Sequence, residues 1–395
     1  MNKMIQNKNS FWPLMKNCIT NSDRNLLIDF IKKTDKYTNG KKVKELESEW
    51  SNWLGVKNSL FVSSGSTANL LLLSAIKTKY NLKSGDKIIV PAITWSTNIS
   101  PIIQLGFTPI FCDVDINHFG FDIDQFKNLC KKHSDIKAVF VTHLFGIPAP
   151  INDYKNILDV IYLEDCCESH GATICNNKVG TFSDGSTFSS YFGHHFTTIE
   201  GGFVSTNDDD LFEIMKAKRS HGLARECSPE IYKKYSEEYK DVDKKFLFIT
   251  DGYNFRNNEL GAILGLSQLK RLDDMITRRH EICNQFESIL NKYNHLFHIP
   301  NFEGNSSFCL PFIFKDSMLK SNFQSFLEDN GVETRPLCSG NLLRQPFLKK
   351  YKYQKFKNAD YLHFHGFYIG NNHLITDEEI IILENLIKKF FKDKK

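Results

Sequence analysis

Leu60-Phe61-Val62-Ser63-Ser64-Gly65-Ser66-Thr67-Ala68-Asn69 reads as a short apolar strand that runs into a polar, glycine-containing loop. From Ala68 to Tyr80 the apolar positions resume helical spacing, so the segment is a strand–loop–helix unit. A helix start offers free backbone N–H groups and the positive end of the helix dipole, which suits a phosphate. Gly65 lets the backbone approach a ligand closely, and Ser66 and Thr67 add hydroxyl donors. The same pattern also serves a ligand-free helix cap with Ser or Thr at the cap position.

The alternation continues on both sides. Val43 to Leu54 has helical spacing, and Lys87–Val90, Pro109–Asp113, Ala138–Thr142 and Val160–Glu164 are further short apolar strands, each closed by a polar or turn residue. Strands separated by helix-length segments predict a parallel sheet with helices on both faces, and such sheets bind ligands beyond the carboxyl ends of their strands. Glu259 to Tyr293 reads as one long or broken helix. Ser307–Phe314, a helix over Leu319–Asn330 and the run Val332–Pro336 then suggest a smaller C-terminal α+β domain. The expected division is a large domain over 1–270, with 1–36 as its N-terminal segment, and a small domain over 271–395.

Bulk properties narrow the function. The net charge is 50 − 46 = +4 over 395 residues, too small to imply nucleic acid as the main partner. Ten dispersed cysteines, without Cys-x-x-Cys spacing, support neither a metal knuckle nor a disulfide framework. The longest apolar patch, near Leu70 to Ile76, is far too short to span a membrane. The expectation is a soluble, cytoplasmic protein with reduced thiols, no metal and no membrane partner.

Two more strand ends carry candidate chemistry. Trp95 follows the strand ending at Val90 and can stack on a flat heteroaromatic ring, or else sit in the core. Asp165 follows the strand Val160–Glu164 and can hold a pyridinium nitrogen protonated, which turns such a ring into an electron sink; it can equally cap the next helix.

Thr187-Phe188-Ser189-Ser190-Tyr191-Phe192-Gly193-His194-His195-Phe196-Thr197-Thr198-Ile199-Glu200-Gly201-Gly202 settles the choice. With the motifs above, it resembles the DegT-type sugar-nucleotide aminotransferases of fold type I, over nearly the whole chain from Tyr37. In that family this stretch reads Ser-Phe-x-x-x-Lys, a few residues, then Glu-Gly-Gly, and the lysine carries pyridoxal phosphate covalently. Here the ending matches at Glu200-Gly201-Gly202, and the lysine slot holds His194. The resemblance implies an aspartate-aminotransferase-like α/β fold: a mostly parallel seven-stranded sheet with helices on both faces, plus the smaller domain. It implies that Gly65, Ser66 and Ser189 hold the cofactor phosphate, that Trp95 stacks on its ring and Asp165 pairs with its nitrogen. Glu168 would lie on the cofactor's oxygen side. Asn254 would reach the phosphate of a neighbouring subunit in a homodimer with shared sites. Arg219, His221 and Arg225, in an Arg-x-His-Gly turn, and Arg335, with Asn341, would contact substrate or glutamate.

An imidazole cannot form a Schiff base, so the cofactor would be held non-covalently and could act as pyridoxamine phosphate, with L-glutamate as amino donor. His194 would serve as a general base. The branch of the family with this substitution comprises 3-dehydratases of 4-keto-6-deoxy sugar nucleotides, which points to a GDP-linked mannose- or heptose-type substrate and release of ammonia. A sugar-nucleotide 4-aminotransferase and a non-catalytic cofactor-binding protein are the alternatives. A related branch uses an iron–sulfur cluster; Cys227, Cys283, Cys309 and Cys338 are too widely separated to suggest one here.

Overall fold

The computed structural model describes residues 10–351 and 355–392. Its central sheet contains β1 (Asn58–Val62), β2 (Lys87–Pro91), β3 (Thr108–Cys112), β4 (Ile136–Thr142) and β5 (Ile161–Asp165). After a two-residue hairpin of β6 (Thr173–Ile174) and β7 (Asn177–Lys178), the chain adds β8 (Gly185–Ser189) and β9 (Gly202–Thr206). The seven large-sheet strands are ordered β1-β9-β8-β5-β4-β2-β3. β3, β2, β4, β5 and β8 pair in parallel, and β9 runs antiparallel to both β8 and β1. Helices cover the faces, so β8 and β9 are buried at every position and read as continuous rather than alternating apolar or small residues.

The expected strands are all present, with small shifts. β5 begins one residue later than the sequence suggests and ends on Asp165, which places that carboxylate on the strand itself. The helix expected from Ala68 begins at Gly65, because Ser64 caps it. The long helix is broken at Lys270–Arg271 into Glu259–Leu269 and Leu272–Asn291.

The second sheet, ordered β10-β11-β13-β12, is antiparallel: β10 (Phe297–His298), β11 (Cys309–Phe314), β12 (Thr334–Pro336) and β13 (Gly366–Gly370). All six residues of β11 are buried, since apolar groups cover both its faces. One apolar cluster joins large-sheet residues such as Val90 and Leu163 to Phe312 and Phe367 of the second sheet. The chain ahead of the first helix straps onto this second sheet: the Trp12 indole donates to the Gly370 carbonyl at 2.8 Å, and the Leu14 N–H to Glu333 at 3.1 Å. The first nine residues of the expected N-terminal segment lie outside the described residues. No helix among the described residues is long and apolar enough to cross a membrane.

Candidate active site

The carboxyl ends of β1, β4, β5 and β8 and the strap residues Leu14 and Met15 open onto one cavity of about 450 Å³. Eight of the residues singled out from the sequence line it: Gly65, Ser66, Trp95, Asp165, Glu168, Ser189, His194 and Arg335.

At its floor the helix Gly65–Lys79 starts. Ser64 and Thr67 form a reciprocal capping box, the Thr67 N–H donating to Ser64 Oγ at 3.1 Å and the Ser64 N–H to Thr67 Oγ1 at 3.0 Å. Thr67, expected to bind phosphate, therefore has its hydroxyl occupied by the cap. The cap and the anion site are compatible, because capping satisfies Thr67 and leaves the Gly65 and Ser66 end of the turn on the cavity. Gly65 is required by space and not by conformation. A Cβ there would stand 2.8 Å from both Cys167 Sγ and Ser189 Cβ. Gly202 has a similar reason: its Cβ would meet the Gly65 nitrogen and the Ser64 carbonyl carbon at 2.6 Å. The Glu-Gly-Gly ending thus lets β9 pass directly beneath the helix start.

Asp165 is held rigidly. Asn69 donates to its Oδ2 at 2.9 Å, Asn98 to the same oxygen at 3.4 Å, and the Cys167 N–H to Oδ1 at 3.1 Å. Asn69 is itself fixed by the Thr187 hydroxyl at 2.6 Å. Trp95 lines the same cavity, 55% exposed at the start of helix Ser96–Gln104, which excludes a core role for its ring. Ser189 ends β8, where its Oγ accepts from the Tyr191 N–H at 3.3 Å.

His194 lies on the cavity wall with its ring packed on Phe308, centroids 5.1 Å apart, and near Tyr191 at 6.0 Å. Burial, with the positive charge of Arg279, pushes its pKa down to about 4, although the nearby Cys167 backbone works the other way. The imidazole is neutral at pH 7 and has a lone pair to take up a proton. His195 turns away, fully buried, its Nε2 3.0 Å from the Ser306 carbonyl oxygen. The two adjacent histidines thus have different surroundings. Glu168 accepts from the Phe145 N–H at 3.0 Å, and burial, with the charge of Asp165, pushes its pKa up to about 7.

Five of the residues singled out from the sequence lie off this chain's cavity. Arg219 does not reach the cavity: it is 5% exposed, ion-paired with Glu47 and donating to the Phe61 carbonyl at 3.1 Å, so it is a core ion pair that ties β1 to the preceding helix. His221 and Arg225 are exposed and off this chain's cavity, His221 beside Arg256 at 3.3 Å and Arg225 donating to the Lys245 carbonyl at 2.8 Å. Asn254 accepts from Arg256 Nε at 3.2 Å on that same side. Asn341 is buried and bonded to Asp360 at 3.0 Å.

Sequence reasoning missed the positions of Asn69 and Asn98, which fix Asp165. It also missed Met15, Phe308, Cys309 and Tyr368, which reach the cavity from distant segments. Only Asn69 carried a signal, through its place at the end of the Ser63–Asn69 run. Among the described residues His143, Glu164 and Cys166 stand close enough to share a metal ion. His143 Nδ1 already accepts from the Ala149 N–H and its Nε2 lies 3.1 Å from Glu164, which also takes bonds from Gly180, Phe182 and Ser183. That group is closed by its own hydrogen bonds.

The parts fit pyridoxal phosphate: a helix start crowded to backbone for the phosphate, an open aromatic face for the ring, and a fixed carboxylate for the ring nitrogen. Comparisons agree. The model of the DegT/DnrJ/EryC1/StrS aminotransferase family matches residues 18–386. GDP-4-keto-6-deoxy-D-mannose 3-dehydratase of Escherichia coli O55:H7 (strain CB9615 / EPEC) is 34% identical over 364 residues, 89% of this chain and 93% of its own. GDP-perosamine synthase of Escherichia coli O157:H7 is 26% identical over 385 residues, 97% and 99% of the two chains. A crystal structure of GDP-4-keto-6-deoxymannose-3-dehydratase with a trapped PLP-glutamate geminal diamine superposes with a TM-score of 0.88 at 31% identity, covering 95% of this chain and all of that one. The fold is the aspartate-aminotransferase-like one expected.

Proposed function

The chain belongs to the DegT/DnrJ/EryC1/StrS aminotransferase family, and from that premise we propose that it is a 3-dehydratase of a GDP-linked 4-keto-6-deoxy sugar of the mannose or heptose type. It would use pyridoxal and pyridoxamine phosphate with L-glutamate as amino donor, and release ammonia and 2-oxoglutarate. The observation that carries the reading is His194: it faces the cavity together with Gly65, Trp95 and Asp165, and no lysine is among the described residues that line it.

When bound, the cofactor supplies an electron sink, its protonated ring taking up the electron pair left by a departing proton. Gly65, Ser66 and Ser189 hold the phosphate at the helix start. Trp95 covers the ring, and Asp165, pinned by Asn69 and Asn98, keeps a positive charge opposite it. His194, neutral at working pH, takes the proton at its imidazole nitrogen. It cannot bond covalently to the cofactor, so amine return through a lysine is closed and loss of the C3 hydroxyl is favoured. Arg335, on the cavity wall, is placed to hold a carboxylate of glutamate or a substrate oxygen. We place Asn254 at the site of a second copy in a homodimer, since it does not line the cavity of its own chain, and the enzyme in the cytoplasm.

Amine transfer is the second reading, favoured by the likeness to GDP-perosamine synthase over almost the full length of both chains. The test mixes protein, pyridoxal phosphate, glutamate and GDP-4-keto-6-deoxymannose, with CDP-linked and heptose analogues in parallel. Free ammonia with a 3-deoxy sugar supports the dehydratase; an amino sugar assigns the transferase; no turnover of any substrate would leave a non-catalytic cofactor-binding protein.

A further inference from the structure

Arg279, on helix Leu272–Asn291, is 1% exposed, and every hydrogen bond its guanidinium makes goes to a backbone carbonyl. Nη1 donates to Asn371 and, at 3.3 Å, to Phe308; Nη2 reaches the His194 carbonyl at 3.4 Å; Nε is buried without a partner. No carboxylate pairs with it among the described residues. Removing a guanidinium from water without an anion is costly, and a well-packed apolar side chain is often the more stable occupant of such a position. Folding alone therefore gives a weak reason for an arginine here.

Two of the three carbonyls belong to His194 and to the residue packed on it, and the third holds the neighbouring loop. One belongs to His194 itself. The second belongs to Phe308, whose ring packs on the imidazole. The third belongs to Asn371, just beyond β13, and the Asn371 amide returns to the Arg279 carbonyl at 3.0 Å and to the Ser307 carbonyl at 3.0 Å, closing the clamp. We propose that Arg279 is the positioning residue for His194, a buried cation that locks the histidine loop of the large sheet to two loops of the second sheet. This rests on His194 being the base of the proposed reaction.

Charge and position act together. Around the His194 ring stand His170, His195, Tyr191, Cys167 and Arg279, with Asp165, Glu168, Glu200 and Arg335 elsewhere on the cavity. Of these, Arg279 is the buried fixed cation nearest the histidine group, and it also pushes His170 and His195 down, after burial itself. A base surrounded by neutral imidazoles and one permanent cation stays deprotonated across the working range.

The experiment follows the His194 ring by NMR titration in the purified full chain with pyridoxal phosphate, in wild type, Arg279→Met and Arg279→Lys, beside kcat, cofactor affinity and thermal midpoint. In Arg279→Met the His194 titration point should rise from about 4 but stay below 6.5, because burial is the larger cause, while cofactor affinity stays within about twofold. Displacing a positioned base by a fraction of an ångström should lower kcat roughly 10- to 100-fold. Arg279→Lys keeps the charge without the planar fork, so the titration point should stay low while kcat still falls. It also stands in if the methionine variant does not fold. An unchanged titration point in Arg279→Met, or wild-type kcat in Arg279→Lys, overturns the proposal. If wild type shows no turnover, the dehydratase reading fails, while the titration still decides whether Arg279 governs His194.

Discussion

Replacing Gly65 by alanine tests the cavity floor most directly, because two effects of opposite sign compete there. Gly65 is the first residue of its helix and has no left-handed φ, so alanine should be the better helix former, by at most about 1 kcal/mol. Against this stands crowding. The new methyl carbon would lie 2.8 Å from Cys167 Sγ and Ser189 Cβ and 3.3 Å from Ser189 Cα, where ordinary contact begins near 3.4 Å. The Cys167 thiol can turn about its χ1, but Ser189 cannot rotate away, since it ends a buried strand and its Cβ moves only with the backbone. Overpacking of this kind costs about 1–3 kcal/mol. Crowding therefore exceeds the propensity gain, and the helix start must shift off the cavity floor. If the whole cost falls on cofactor binding, pyridoxal phosphate should bind about 5- to 150-fold more weakly. The assay is a spectroscopic titration with pyridoxal phosphate, with thermal unfolding of the cofactor-free protein as the second measurement. The companion Ser66→Ala removes one hydroxyl without crowding and should weaken binding by about 1 kcal/mol. Should Gly65→Ala bind as tightly as wild type and melt at the same or a higher temperature, the close approach of helix and strand does not shape this site.

Three further outcomes are expected. His194→Asn should keep pyridoxal phosphate, whose contacts lie elsewhere, and lose about 10²–10⁴-fold in ammonia release; wild-type rates would remove His194 from the chemistry. Borohydride treatment of the wild type should leave the cofactor dialysable, whereas His194→Lys should give a reducible adduct that peptide mapping places at position 194; an adduct on any lysine of the wild type contradicts the assignment. Glu168 binds its proton more tightly folded, at about 7, than unfolded, near 4.5, so its contribution to stability is complete below 4.5 and is lost as pH rises through 7. Glu168→Gln should then become more stable relative to wild type between pH 4.5 and 7, by at most roughly 3 kcal/mol. A pH-independent difference in unfolding free energy would show that the carboxyl is not held protonated.

The strand–loop–helix alternation, the parallel sheet and the family motif were legible in the sequence because each is local. A short apolar run, a capping pattern or Glu200-Gly201-Gly202 is set by neighbours a few residues apart. Asp165 and Trp95 could be found for the same reason, because strand ends face the cavity in this class of sheet, and His194 through its place in the motif that ends at Gly202. The role of Gly202 was hidden, since it depends on Ser64 and Gly65 lying against it across more than a hundred residues. Arg219 and Arg279 show the limit most clearly. Both are basic residues on helices; the Arg-x-His-Gly turn pointed Arg219 to substrate, and no local pattern marked Arg279. Tertiary packing gives Arg219 the carboxylate of Glu47 and makes it a core ion pair, and it gives Arg279 three backbone carbonyls, one of them that of His194. The motif put His194 in the lysine slot, but what parts it from its neighbour is tertiary: the Ser306 carbonyl, 111 residues away, takes His195 and leaves His194 on the cavity.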